Sequence, residues 1–178
     1  MKPIKSMTQA ELAAYVQDHL HKKGIDVVLS GGSAVAIYCN NKYVSKDIDL
    51  VNVHFVERRR IKIAMEEIGF REEGRYFEHP DTKLLVEFPP GPLSVGDEPI
   101  RQVDEIRYKT GTLRVISPTD CIKDRLVAYY HWGDQQCLAQ AILVAQNKEI
   151  DMDEIERWSK VEGMGQKFKQ VKNRLVKA

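Results

Sequence analysis

The chain has 178 residues, of which 43% are hydrophobic and 30% are charged, a composition ordinary for a globular domain with a real core. Its 27 basic and 26 acidic residues leave a formal net charge of +1, which argues against a general electrostatic attraction to nucleic acids or membranes. No uncharged stretch approaches the ~20 residues of a membrane helix, and the N-terminus lacks the apolar run of a signal peptide, so we expect a cytoplasmic protein with no membrane partner.

Helix and strand patterns alternate along the first two thirds of the chain. Thr8-Gln9-Ala10-Glu11 predicts a capping box, and Gly24 ends the helix that it opens. Short β-branched or alternating runs predict strands over 25–30, 47–53, 70–72, 75–78, 84–88, 103–109 and 112–116. Helical spacing and start residues predict further helices over 34–39, 56–68, 121–131, 135–147, 151–162 and 166–177. Residues 89–99 are rich in Pro and Gly and predict a loop.

This order of elements indicates an α+β fold. We expect a core domain over residues 1–116, followed by a helical C-terminal region over 117–178. The three cysteines, Cys39, Cys121 and Cys137, are odd in number and widely spaced, which predicts free thiols in a reducing compartment and no disulfide framework.

A glycine turn lies between the first predicted strand and the short helix that follows it. Gly31 and Gly32 leave room for a phosphate to approach the backbone, and the Ser33 hydroxyl adds a donor. The free amides of a helix N-terminus carry about half a positive charge, which favours such an anion. The alternative is a tight turn whose glycines serve only its backbone angles.

Three acidic residues lie in two predicted strands. Asp47 and Asp49 are two positions apart, so they project from one face with Cα atoms ~6.6 Å apart, a spacing that suits two Mg²⁺ or Mn²⁺ ions. Glu87 is a lone acid in the apolar run 84–88. If the fold brings it beside the aspartates, charges ~4 Å apart repel by ~4 kcal/mol at an effective dielectric of about 20, and a bound cation removes that cost. The alternatives are a solvated strand face for the pair and an edge-strand charge for Glu87.

These residues resemble the minimal signature of the DNA polymerase β-like nucleotidyltransferase superfamily. The matching elements are Gly32-Ser33 before a short helix, the acid-x-acid strand Asp47-Ile48-Asp49, and the later acid Glu87. The resemblance implies a mixed sheet flanked by helices and an NTP substrate. It also implies that the three acids bind two Mg²⁺ ions, with Mn²⁺ as an alternative, and that Glu87 helps to deprotonate an acceptor hydroxyl. Gly31, Gly32, Ser33 and Lys46 would then bind the nucleotide, with Ser33 holding a triphosphate oxygen.

Within that superfamily the chain looks most like small bacterial toxin-type proteins related to abortive-infection toxin–antitoxin systems. That likeness implies an RNA acceptor (tRNA 3′ ends), a protein side chain or a small molecule, and an antitoxin protein as partner. Lys123 and Arg125, near the start of the first C-terminal helix, are the candidates for balancing the triphosphate charge; the alternative is that both are solvated helix-surface charges.

Two other functions were weighed against this one. A non-catalytic relative that binds nucleotide or a partner and regulates is the alternative, because Tyr43 stands where toxin-type relatives often have arginine. A Rossmann-like dinucleotide site needs Gly-x-Gly-x-x-Gly, which Gly31-Gly32-Ser33-Ala34-Val35-Ala36 does not provide, so we set it aside. The basic last helix suits either a polyanion or an amphipathic closing helix.

Overall fold

A computed structural model describes residues 2–40 and 42–176, and within these ranges seven α-helices and nine β-strands form. The helices are α1 (Gln9–Lys22), α2 (Gly31–Tyr38), α3 (Arg58–Glu66), α4 (Pro118–Trp132), α5 (Gln135–Asn147), α6 (Met152–Val161) and α7 (Gly165–Leu175). The strands are β1 (Val27–Ser30), β2 (Asp47–Asn52), β3 (Arg71–Glu73), β4 (Tyr76–Glu78), β5 (Leu85–Glu87), β6 (Ser94–Val95), β7 (Glu98–Pro99), β8 (Val103–Tyr108) and β9 (Gly111–Ile116). A 3₁₀ turn, Ile4–Ser6, precedes α1.

Seven of these strands form one mixed sheet in the order β3-β4-β5-β2-β1-β9-β8, and β6 and β7 form a separate ribbon. Strand β2 runs antiparallel to β1 and parallel to β5, while β1 runs parallel to β9. The predicted α+β class with a mixed sheet is therefore confirmed. Among the described residues, no helix is both long and apolar enough to cross a membrane.

Local chemistry explains where the first helix begins and ends. The Thr8 side chain accepts a bond from the Glu11 amide, and the Glu11 carboxylate accepts one from the Thr8 amide, which completes the predicted capping box. After the helix, Gly24 adopts φ +70°, a left-handed conformation that glycine reaches without steric cost.

One hydrophobic cluster runs from α1 through the sheet to α7. It includes Leu12 of α1, Ile48 and Leu50 of β2, Leu126 of α4 and Phe168 of α7, all of them buried. Tyr38 fastens α2 to the sheet, because its hydroxyl donates to the carbonyl of the last β9 residue, Ile116, at 2.7 Å. The side chains of α7 that face this core make it an amphipathic closing helix.

Several element boundaries differ from those predicted. Helix α2 begins at Gly31, three residues earlier than expected, because the glycines form its first turn. The segment 89–99, predicted as a loop, contains the β6–β7 ribbon around a turn at Gly96. Helix α7 ends at Leu175, and Lys177, the predicted end, lies outside the described residues. The three cysteines are buried and free, as predicted.

Candidate active site

The acidic residues lie on neighbouring strands at the centre of the sheet. Asp47 and Asp49 occupy alternate positions of β2, and Asp49 is directly opposite Glu87 on β5. On the other side, Asp49 is opposite Ser30, the last residue of β1, and Glu87 is in turn opposite Tyr76 on β4. Residues opposite each other in adjacent strands share a face of the sheet. We call Asp47, Asp49 and Glu87 the acidic row.

The N-terminus of helix α2 meets the acidic row at Asp49. Strand β1 passes directly into α2, with Ser30 as the N-cap and Gly31 at φ +64°. A Cβ on Gly31 would collide with the Asp49 carboxylate, so only glycine allows this approach. The first amides of α2 have no partner within the helix, and they carry the positive end of its dipole. The site therefore joins an anion-binding helix end to a carboxylate.

Ser33 lies inside the protein at this junction. Its hydroxyl donates to the main-chain carbonyl of Asp47, and the Gln9 amide lies 3.3 Å from the Ser33 oxygen. The same Gln9 amide donates to the carbonyl of Ser45 at 3.0 Å. Ser33 thus fastens α2 to β2, and its side chain is fully buried. The Ser33 hydroxyl is therefore engaged within the protein.

A cavity of about 400 Å³ opens beside the helix end and Asp49, the member of the acidic row that lines it. Gly31 and Asp49 line this cavity together with residues 89–90 and 92–95 and with Asp124 and Arg125 of α4. Arg125 donates to Asp124 at 3.1 Å and to Gln140 of α5 at 3.4 Å, which holds its guanidinium in place at the cavity wall. The predicted residue Arg125 therefore lies at the same cavity as Gly31 and Asp49.

Electrostatic repulsion acts along the acidic row. Burial, together with the negative charges of Glu87 and Asp47, raises the pKa of Asp49 to about 6, while Arg125 opposes the shift. A cation bound here would relieve this repulsion, and hard carboxylate oxygens are the ligands that Mg²⁺ and Mn²⁺ prefer. By its chemistry the donor set fits a divalent cation.

The carboxylates do not converge on one point. Among residues 2–40 and 42–176, no group of three or more His, Cys, Asp or Glu side chains is gathered closely enough to hold a metal ion. The Glu87 carboxylate lies beside Arg75, with 3.6 Å between its Oε2 and the Arg75 Nε. The three acids thus lie in a row on one face of the sheet, and their side chains have to turn inward to share a cation.

The structure does not bring Lys123 to this cavity. The Lys123 ammonium is buried, 2.6 Å from Glu154 and 3.2 Å from Asp120, and it lines a separate cavity of about 730 Å³. The reason is helix geometry: at 3.6 residues per turn, residues two apart point ~200° away from each other, so Lys123 and Arg125 face different sides of α4.

Lys46 and Tyr43 lie in the segment that precedes β2. Lys46 is exposed, and its carbonyl accepts a bond from the Leu85 amide at 3.1 Å, next to the start of the acidic row. The Tyr43 hydroxyl lies beside α2, since a Cβ on Gly32 would be 3.2 Å from it.

Sequence patterns did not identify three residues of the site. Gln9, Arg75 and Asp124 are distant from the glycine and acid motifs, and only the packing of α1, β4 and α4 brings them near. The one available sequence indication was the position of Asp124 next to the candidate Arg125.

Comparisons with known proteins agree with this geometry at the level of the fold. No protein-family model matches the chain, and no curated protein matches it in sequence. Solved structures do match it. An antigenic nucleotidyltransferase-like protein from Paracoccidioides brasiliensis is similar at a TM-score of 0.62 and 14% identity, over 96% of this chain and 94% of that one.

Two further structures are similar to the chain. The lincosamide antibiotic adenylyltransferase LnuA, with lincomycin bound, has a TM-score of 0.55 at 16% identity, over 80% of this chain and 99% of that one. ANT(2'')-Ia in complex with adenylyl-2''-tobramycin has a TM-score of 0.53 at 17% identity, over 92% and 98%. The chain has the nucleotidyltransferase fold, as the resemblance of its motifs implied.

Proposed function

We propose that the protein is a magnesium-dependent nucleotidyltransferase, which moves a nucleotide from an NTP to an acceptor hydroxyl. One observation carries the proposal: Asp49 lies between the N-terminus of α2 and Glu87 and lines a cavity. Anion-binding amides and cation-binding carboxylates then meet where a metal–triphosphate needs both. The adenylyl product and adenylyltransferase names of two structural neighbours support the same reaction class.

The triphosphate binds at the helix end. The amides of Gly31, Gly32 and Ser33 point out of the first turn of α2 and donate to phosphate oxygens. Arg125, fixed by Asp124, supplies a permanent positive charge at the cavity wall. These groups are in place before the substrate arrives, so little reorganisation is needed when charge develops on the leaving pyrophosphate.

The acidic row holds the cations and the acceptor proton. Asp47, Asp49 and Glu87 would hold two Mg²⁺ ions, with Mn²⁺ as an alternative, once their side chains turn inward. Such ions, when bound, neutralise the triphosphate and make the acceptor hydroxyl more acidic. Glu87 takes the hydroxyl proton, the acceptor oxygen bonds to the α-phosphorus, and the bridging oxygen leaves with its electron pair on pyrophosphate.

The proposal also covers the chemical class of the acceptor and the biological role of the protein. Small molecules are named with two of the neighbours, lincomycin and adenylyl-2''-tobramycin, which favours a small-molecule acceptor. An RNA or protein acceptor, an antitoxin partner and a place in a toxin–antitoxin system rest on the sequence resemblance. A cytoplasmic location is supported by the three buried free cysteines.

A labelling experiment tests the reaction. The protein is incubated with NTPs labelled at the α-phosphate, Mg²⁺ and cell extract, and transferred label and released pyrophosphate are measured. We expect label transfer with the wild type and none with the Asp47→Ala/Asp49→Ala double variant. No transfer by the wild type, or equal transfer by the variant, contradicts the proposal.

Two observations favour a second candidate, a non-catalytic nucleotide-binding regulator. The Ser33 hydroxyl is bonded to the Asp47 carbonyl, and a tyrosine hydroxyl, that of Tyr43, lies beside Gly32. Calorimetry with NTP and Mg²⁺, run beside the labelling assay, separates the two candidates. Binding without transfer to any fraction of the extract indicates the regulator, and binding with transfer indicates the enzyme.

A further inference from the structure

Arg75 is a basic residue beside the acidic row that the proposed reaction does not use. It follows the Gly74 turn between β3 and β4, and its side chain is 67% exposed. Its guanidinium lies 4.7 Å above the Tyr76 ring and donates to the Tyr76 hydroxyl at 2.5 Å. The Nε of the same group is 3.6 Å from the Glu87 carboxylate. A tyrosine ring therefore supports this cation next to the proposed base.

The order of the strands places Arg75 on a defined side of the reaction. Across the sheet, Ser30 before α2, Asp49, Glu87 and Tyr76 are opposite one another on four successive strands, which are ~4.8 Å apart. In an in-line displacement the acceptor and the leaving pyrophosphate lie on opposite sides of the α-phosphorus. If the triphosphate binds at α2, as the proposed function requires, the acceptor approaches from the side of Glu87 and Arg75.

Substrate binding also changes the partners of Arg75. In the structure its carboxylate partner is Glu87. If Glu87 holds a cation or takes the acceptor proton, as the proposed function requires, the guanidinium would lose that partner and stay exposed. A guanidinium is always charged and presents a planar set of donors that matches phosphate and carboxylate oxygens. An anionic group on the acceptor can replace Glu87 at Arg75.

We infer that Arg75 binds an anionic group of the acceptor, so that the acceptor is a hydroxyl compound that carries a phosphate or a carboxylate. The inference rests on the proposed function and names the substrate class of the same site. With its anion held at Arg75, the acceptor presents its hydroxyl to Glu87, which takes the proton. The new P–O bond then forms at the α-phosphorus as the α–β bridging bond breaks and pyrophosphate departs with the electron pair.

Three probes with one sugar ring test the inference: glucose, glucose 6-phosphate and glucuronate. Each is titrated by NMR into the protein saturated with Mg²⁺ and a non-hydrolysable NTP analogue. We expect at least one anionic sugar to bind about tenfold more tightly than glucose, and the better of the two identifies the anion as phosphate or carboxylate. In Arg75→Ala this preference disappears. The control is Arg71→Ala, an exposed arginine on β3 opposite Glu78, which keeps the preference.

The outcomes separate the inference from the proposed function. Binding of the NTP analogue with Mg²⁺ is measured first, and its absence in the wild type contradicts the proposed function. If the analogue binds but all three sugars bind equally or not at all, the role of Arg75 is wrong. A preference for the anionic sugar that survives in Arg75→Ala, with its melting temperature unchanged, also overturns the inference.

Discussion

At the scale of single residues, Asp49 lies in the proposed active site, and its buried charge lowers the stability of the folded protein. Its pKa is 3.8 in the unfolded chain but about 6 in the folded protein, because burial and the neighbouring carboxylates disfavour its charge. The folded protein therefore holds this proton more tightly, and stability falls as the pH rises from about 4 to about 6. Above pH 6, where Asp49 is charged in the folded protein, its charge lowers the free energy of unfolding by at most about 3 kcal/mol.

Replacing Asp49 with asparagine removes this cost. We expect Asp49→Asn, in EDTA at pH 7.5, to unfold at a higher temperature than the wild type, and the difference to vanish near pH 4. The same variant loses Mg²⁺-dependent transfer. Thermal unfolding followed by circular dichroism between pH 4 and 8 measures the effect. The control is Asp81→Asn, which removes an exposed carboxylate. A stability gain that does not change with pH would show that Asp49 is not under electrostatic strain.

Gly31 allows the close approach between α2 and Asp49. Gly31→Ala combines a left-handed φ of +64° with a collision against the Asp49 carboxylate. We expect a loss of stability greater than the roughly 1 kcal/mol of the backbone strain, together with loss of NTP–Mg²⁺ binding in calorimetry.

Gly24→Ala is the matched control, because Gly24 has a φ of +70° and no atom lies within 4 Å of its added Cβ. It should show only the backbone strain and bind nucleotide normally. Equal behaviour of the two variants would mean that the contact with Asp49 has no role in binding.

At the scale of elements, the β6–β7 ribbon links the cavity to the helical region. Ser94 and Val95 line the cavity, and Glu98 pairs with Arg157 of α6 through two bonds of 2.9 and 2.6 Å. The Asp97 amide also donates to Glu162 at 3.2 Å. These contacts are exposed, so each contributes little to stability.

Breaking the contact with Arg157 should loosen the ribbon without unfolding the protein. We expect Arg157→Ala to speed hydrogen exchange over 94–99 and to raise the nucleotide dissociation rate about two- to fivefold, in line with the modest energy of an exposed pair. Lys160→Ala removes a different ion pair of α6, that with Glu156, and should change neither quantity. Identical effects of the two variants would place the cause in α6 itself.

The sequence predicted the elements that have strong local patterns. The capping box at Thr8, the acid-x-acid strand and the hairpin of β8 and β9 follow from periodicity and turn residues. The ribbon within 89–99 was missed because proline and glycine disfavour strands, and contacts with α6 hold it instead. The start of α2 was misplaced because two glycines have poor helix propensity.

At the scale of the whole molecule, one core holds the sheet and the helical region together. The buried cluster contains residues of α1 and of all four C-terminal helices. The position of Arg75 beside Glu87 depends on the pairing of β4 with β5, which no local pattern encodes. The opposite directions of Lys123 and Arg125, in contrast, follow from helix periodicity alone.

A shared core should unfold in one step. We expect a single urea transition, with fluorescence and circular dichroism superimposable, because removing α4–α7 would expose the face of α2 that packs against α4 and α5. The two signals are compared across the same denaturant series. Two separated transitions would show that residues 1–116 and 117–178 fold independently.

The most direct measurement is a crystal structure of the protein with a non-hydrolysable NTP analogue and Mg²⁺. From the proposed function we expect electron density for divalent cations between the phosphates and the acidic row of Asp47, Asp49 and Glu87, with phosphate oxygens at the amides of Gly31, Gly32 and Ser33. A nucleotide bound elsewhere, or bound here with Asp49 and Glu87 still apart and no cation between them, would contradict it.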